Sequence, residues 1–384
     1  IYNDTTPPSQ IEWQDLAYSF SDVIARERDN ALIFRTLESG RPAACAEITI
    51  HRLVGDLPQV GVEVPREGGR AFGSYWHEPA IPIEFGAKGY KPSDIFESFR
   101  RLLDYMQFIG QDTLCYPVAW RQGALYLSER EGFRLGLGGE RHPPGWLEQV
   151  LYLCERRGIS FIPVVFFEDS NALSSAFGGE DERAVARGVA TARMVLWDGS
   201  LSRGNLGDPP RYNPVHPAVR EDLLARITEI ARICGKSPAF KGVALHLDAS
   251  SSAWFASIQC GYGDFSVQEF TRDTGIKVPV GQSGPARFAE RARWLLGEKR
   301  AEWINWRCRK LREFYGELAS RLQSSRRDLK LYLDVNLPDA TSPHPLLNLS
   351  AWGVRTHSLT QLLCEAGLDL SLYTERPTNI VVRK

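Results

Sequence analysis

Two short apolar runs in this chain end in a carboxylate: "GVALHLD" closes on Asp248 and "LYLD" on Asp334. Each has the length and make-up of a buried strand, so each acid leaves a sheet at its edge. Two carboxylates at neighbouring strand exits suit cleavage of a glycosidic bond. One group must protonate the leaving oxygen while the other stabilises, or bonds to, an oxocarbenium-like carbon. A separation of about 5 Å would retain the anomeric configuration, and about 6.5–9.5 Å would invert it.

Other strand exits add acids and aromatics. They are Glu84 in "IPIEFG", Trp120 closing "DTLCYPVAW", Glu168 with Asp169 after "ISFIPVVFF", and Glu375 beyond "LDLSLYT". Flat side chains such as Trp76, Trp120 and Trp254 offer apolar walls to a sugar ring. His246 lies two residues before Asp248 and therefore shares its face, where it would tune the acid or bond a hydroxyl. The catalytic candidates are thus Asp248 and Asp334, and the substrate-binding candidates are Glu84, Trp120, Glu168, His246, Trp254 and Glu375. Each also has a structural reading: a strand-end Asp caps the next turn, and a tryptophan near a loop packs into the core.

These residues need a scaffold that gathers strand ends. From about residue 69 strands and helices alternate, the pattern of an α/β domain with parallel strands. Strands are predicted at 81–86, 112–120, 159–167, 241–248, 329–336, 368–374 and, just beginning, 379–384. Between them run a helix with Ser93 as N-cap and Gly110 as its stop, one stopped by Gly158, one entered through "NPVHPAVREDLL", and one stopped by Gly367. A Gly- and Ser-punctuated insertion fills roughly 170–210. Residues 286–325 read as an amphipathic helix broken at Gly297, its dense Arg and Glu forming a solvated face, with Arg307 an exception on the apolar stripe.

Seven strands approach the eight of a (β/α)8 TIM barrel. No GxGxxG or P-loop opens a helix, and "GLGG" at 136–139 has no strand before it, which argues against a nucleotide-binding doubly wound sheet. The predicted architecture is therefore a TIM barrel over 69–384, incomplete at its C-terminus, preceded by a β-rich module over 1–68 resembling the end of a β-sandwich. A barrel short of strands exposes unpaired edges. A longer parent protein, or a further segment or chain that completes the ring, is the corresponding expectation.

Composition removes several classes. Lys+Arg at 46 against Asp+Glu at 47 gives a net charge of −1, so no overall field favours nucleic acid. No run of about 18 apolar residues is long enough for a membrane span. The seven cysteines are irregularly spaced, mostly in apolar runs, and read as buried thiols. Scattered histidines and the lack of CxxC or HxxxH predict no metal site, and no cofactor is expected.

Three stretches carry a resemblance. "NPVHPAVREDLLARITEI", "FKGVALHLD" and "AEWINWRCRKLREFYGEL" resemble segments of glycoside-hydrolase-like barrel proteins related to glycosyl hydrolase family ten. The resemblance implies a (β/α)8 fold, action on a poly- or oligosaccharide, and Asp248 as the acid of the fourth strand. The rival reading is a non-catalytic carbohydrate-binding or surface-layer barrel, and an extracellular or periplasmic location is the separate expectation. The sequence departs from well-studied barrel glycosidases by "LD" where they carry Asn-Glu. An Asp closing the fourth strand is similar to the nucleophile position of amylase-like barrels.

Overall fold

A computed structural model describes residues 73–76, 84–86, 92–120, 123–130, 145–178, 181–202, 211–279, 284–336, 358–374 and 379–383. By its contacts the chain divides into Ile1–Val60 and Gly61–Lys384. The β-rich reading of 1–68 and the candidate Glu375 lie outside the described residues.

The second unit holds strands β1 (Gly73–Tyr75), β2 (Thr113–Trp120), β3 (Gly123–Ala124), β4 (Ser160–Val165), β5 (Gly242–Leu247), β6 (Lys330–Val335) and β7 (Ile380–Arg383). Apart from β3, a short antiparallel partner of β2, they form one parallel sheet in the order β1-β2-β4-β5-β6-β7. Each strand lies beside its predecessor and the order never reverses. A doubly wound sheet would reverse at a switch point, so this winding puts the crossover helices on one face.

The register sorts the side chains. On the helix-covered face, Leu114, Tyr116, Phe161, Val243, Leu245, Leu331 and Leu333 join the main core. Cys115, Ile162, Val164, Phe166 and Ala244 form a separate cluster on the other face. Strands buried on both sides read as continuous apolar runs, which is why β2 and β5 were readable without alternation.

The sheet curls towards that second face. On a flat sheet β2 and β7 would stand about 19 Å apart, four strand spacings. Yet the Arg383 guanidinium on β7 donates to Cys115 Sγ on β2 at 3.3 Å. Likewise the Tyr75 hydroxyl on β1 meets His246 Nδ1 on β5 at 2.6 Å. The architecture is an incomplete (β/α) barrel, its interior filled by side chains from opposite strands. Among the described residues β7 and β1 are not paired.

Nine α-helices are described: α1 (Pro92–Phe108), α2 (Trp146–Arg156), α3 (Asn171–Phe177), α4 (Glu182–Ala186), α5 (Pro217–Cys234), α6 (Asp264–Thr274), α7 (Ala286–Gly297), α8 (Arg300–Ser325) and α9 (Leu359–Glu365). Gly110, Gly158 and Gly367 take positive φ after helices, as their stops require. The helix over 286–325 does break beside Gly297.

Four expectations are corrected. The first strand is Gly73–Tyr75, and Glu84–Gly86 forms a turn with Gly86 at φ 89°. Residues 368–374 fold as a 3-10 turn over Leu370–Tyr373, because Asp369 Oδ1 caps Ser371 N–H at 2.9 Å and draws the chain out of extension. Ser93 lies within α1, which begins at Pro92. The solvated face of 286–325 holds buried cations, because Arg287, Arg291, Arg307 and Lys310 all find fixed acceptors inside.

One entry point into this scaffold responds to acid. His216 caps α5 by accepting from Ala218 N–H through Nδ1 at 3.3 Å, and its ring lies between Phe177 and Phe265. Burial holds its pKa below the ordinary histidine value. Stability from neutral His216 is complete above about pH 6.5, the unfolded value, and is lost as pH falls through the lower folded value. The melting temperature is therefore expected to drop between pH 7.5 and 5 by more in the natural protein than in His216→Ala.

Candidate functional site

β5 delivers the central residues. Gly242 opens it at φ 134°, where a Cβ would lie 1.9 Å from the Lys330 carbonyl oxygen, so only glycine allows β5 and β6 to approach this closely. Five strand residues follow, four of them apolar, and Asp248 emerges half-buried at the exit. Its Oδ1 accepts Ser250 N–H at 3.0 Å and Ser251 N–H at 2.9 Å, while its carbonyl accepts the Trp254 indole N–H at 2.6 Å. The small residues of "ASSSAW" let the chain double back tightly enough to make these bonds.

The loop that follows is fastened from several sides. Arg211 donates to the carbonyls of Ser251 and Phe255, and Arg307 to those of Ser257 and Cys260 at 2.6 and 2.9 Å. Tyr315 donates to the Ala253 carbonyl and Ser252 N–H to the Phe167 carbonyl. Both guanidinium groups are buried, and Arg307 also lies over the Phe255 ring. Backbone polar groups of a buried loop need such partners.

Asp334 stands on β6 in register with His246, inside the curl. Arg383 Nε and Nη2 each donate to one of its oxygens, the second at 2.7 Å, which is a bidentate pair. Burial pushes the Asp334 carboxyl up from its ordinary value, against the downward pull of Arg383. Burial opposes the charge on Arg383 too, but Asp334 and Cys115 outweigh it and hold the guanidinium protonated. Asp334→Ala is expected to cost about 2–3 kcal/mol, less than a fully buried pair because Arg383 keeps some solvent. Asp334→Leu with Arg383→Met is expected to recover most of that in chemical denaturation.

His246 is buried, stacked on Phe166 at 4.2 Å and bonded to Tyr75. Burial first, then Asp334, Cys115 and Asp248, raise the Tyr75 hydroxyl well above its ordinary value and keep it protonated. Trp120, at the end of β2, is partly buried against the interior cluster. Glu168 follows Phe166 by two residues at the β4 exit and is half-buried, its carbonyl accepting Ser252 Oγ at 3.0 Å. Asp169 is spent on capping, with its two oxygens on Ser170 N–H and Ser174 Oγ.

The interior and exits of the curl therefore gather Asp248, Asp334, His246, Trp120 and Glu168. Two candidates stand apart. Trp254 is 1% exposed and packs in the main core, so it supports Asp248 from behind. Glu84 is exposed on its turn. Tyr75 and Arg383 were absent from the sequence candidates. The signal for Arg383 was a lone cation closing the strand "IVVR"; Tyr75 sat in a strand too short to show a pattern.

Comparisons with known proteins were made against this geometry. No family model matches the chain, and no curated protein matches it. Among solved structures, the chain is similar to the PgaB (BpsB) glycoside hydrolase domain from Bordetella bronchiseptica, at 13% identity and TM-score 0.43, over 64% of this chain and 61% of that one. It is similar to a β-galactosidase from the psychrophilic Marinomonas ef1, at 11% identity and TM-score 0.40, over 69% and 37%. A third is the type III pullulan hydrolase from Thermococcus kodakarensis, at 15% identity and TM-score 0.33, over 73% and 38%. The chain thus spans less than two thirds of each. Likenesses at this level carry no activity across to this chain.

Among the described residues no group of three or more His, Cys, Asp and Glu is arranged to hold a metal ion. No described helix is long and apolar enough to cross a membrane. Six cysteines in the described residues are free thiols.

Proposed function

We propose that this chain hydrolyses glycosidic bonds of a poly- or oligosaccharide, with Asp248 and Glu168 as the reacting carboxylates. The observation that carries the reading is the β4–β5 register. Val164 pairs with Ala244, and one pleat further Phe166 stacks on His246. Two residues further along, Glu168 and Asp248 occupy the bends just past the paired ends of these neighbouring strands. The proposed route is a double displacement through a covalent glycosyl intermediate.

The hydrogen bonds divide the roles. An oxygen already addressed by two N–H groups is a poor proton donor, so Asp248 attacks the anomeric carbon as the sugar–oxygen bond breaks. Glu168, half-buried at the neighbouring exit, protonates the departing oxygen and then takes a proton from the incoming water. Asp334, with both oxygens on Arg383, leaves the reacting pair and serves to hold the interior in place. Trp120 supplies an apolar wall. An extracellular or periplasmic location belongs to the same reading.

The test is reducing-end release from a panel of glucans, xylans, galactans and chitin-type oligosaccharides. Glu168→Gln is expected to slow cleavage about a hundredfold, with partial relief on substrates whose leaving group needs no proton. Equal rates in the two proteins would remove Glu168 from the reaction. The bidentate hold on Asp334 also favours one alternative, a barrel that binds sugar without cleaving it. Saturable binding with no release of reducing ends would decide for that alternative.

A further inference from the structure

Tyr75 combines two properties rarely found together. Its hydroxyl is fixed, 2.6 Å from His246 Nδ1, and the His246 ring is in turn pinned against Phe166 with 24° between the planes. Yet Tyr75 as a residue remains 41% exposed, among the more open large aromatics of the described chain. A buried polar tip with an open ring is the arrangement of a rigid flat surface, because the ring can neither swing away nor sink into the core. Tyr75 pairs with Cys115 on β2 and reaches across the interior to His246, two residues before Asp248 on β5.

The neighbours say what that surface faces. The Tyr75 hydroxyl bonds His246 and the two ring centroids lie 6.0 Å apart, and His246 precedes by two residues the acid assigned as nucleophile. Its immediate neighbour Trp76 is occupied in an edge contact with Phe85, 6.1 Å between centroids, and Trp120 packs against the interior cluster. Tyr75 is thereby the open aromatic face beside Asp248.

Resting on the hydrolase reading, we propose that the exposed face of Tyr75 is the platform on which the sugar ring next to the cleaved bond stacks, with His246 the positioning residue that sets its tilt. The C–H face of a pyranose lies against the phenol ring, and the fixed ring holds the anomeric carbon over Asp248. A loose platform would still bind sugar but would present it poorly. This separates binding from turnover by residue: the ring governs affinity, and the Tyr75–His246 bond governs the rate.

The experiment uses the full chain with cellohexaose, xylohexaose, maltohexaose and chitohexaose as probes. Affinity is measured by titration calorimetry in an Asp248→Asn background, and kcat and KM in the otherwise natural protein. Tyr75→Leu, which fills the volume without a flat face, is expected to weaken binding about tenfold. Tyr75→Phe keeps the ring and is expected to bind within about threefold while kcat falls about tenfold. His246→Phe is expected to match Tyr75→Phe, and the double variant to be no slower than either, since both remove one bond. Should Tyr75→Leu fail to fold, the Tyr75→Phe and His246→Phe pair still decides the rate half.

Unchanged affinity in Tyr75→Leu, with cleavage still abolished by Asp248→Asn, would overturn the platform and leave the hydrolase reading standing. Additive losses in the double variant would overturn the positioning role of His246. No binding and no cleavage of any probe by the natural protein would overturn both readings together.

Discussion

Asp248→Asn is expected to lower glycan cleavage by about a thousandfold while leaving the fold intact. The asparagine side-chain oxygen can still accept the Ser250 and Ser251 N–H groups, so the turn after β5 keeps its cap. What disappears is the charge proposed to attack the anomeric carbon. Asp248→Ala removes cap and charge together and is expected to cost about 1 kcal/mol of stability besides the activity. Melting curves beside rates separate the two functions of one side chain. An asparagine variant that melts and cleaves like the natural protein would reduce Asp248 to a cap.

Arg307→Met is expected to destabilise the chain by about 3 kcal/mol, because it strands the buried Cys260 carbonyl and the half-buried Ser257 carbonyl. The melting temperature should fall by roughly 5 °C. The loop from Ser257 to Cys260 hangs on this guanidinium, and Arg211 holds its other end through Ser251 and Phe255. Arg307→Lys retains a cation but reaches fewer carbonyls and should lie between the two. Hydrogen exchange over 249–262 would locate the loosening. A loss of stability without faster exchange there would show that Arg307 supports the helices instead.

The same arginine shows where reading the sequence stops. Residues 300–325 announce a helix through their apolar period, and Arg307 appears there as a charge on the wrong stripe. Its partners are carbonyls of a loop some fifty residues away, and nothing local names them. The core strands β2, β4, β5 and β6 were readable within a residue or two, because a strand buried on both faces is a compact apolar run with clear ends. β1 was not, since three residues carry no period. Residues 368–374 alternate like a strand, but one aspartate bonding two residues ahead outweighs that preference.

The site was readable to the extent that it depends on strand exits. Asp248, Glu168, Trp120 and Asp334 came from listing what leaves the sheet at one end, and His246 from sharing a face with Asp248. Their pairing did not. Asp334 looks like a free acid until the curl brings Arg383 against it, and Tyr75 matters only because β1 and β5 face one another across the interior. Contacts across a barrel have no signature in neighbouring residues.

Glu168 and Asp248, at the exits of β4 and β5, are proposed to cleave one glycosidic bond by double displacement. Proton NMR of the first sugar released from a cleaved oligosaccharide reads this directly, before the anomers equilibrate. Retention of configuration is the expected result. A product formed first as the opposite anomer would contradict the pairing of these two carboxylates.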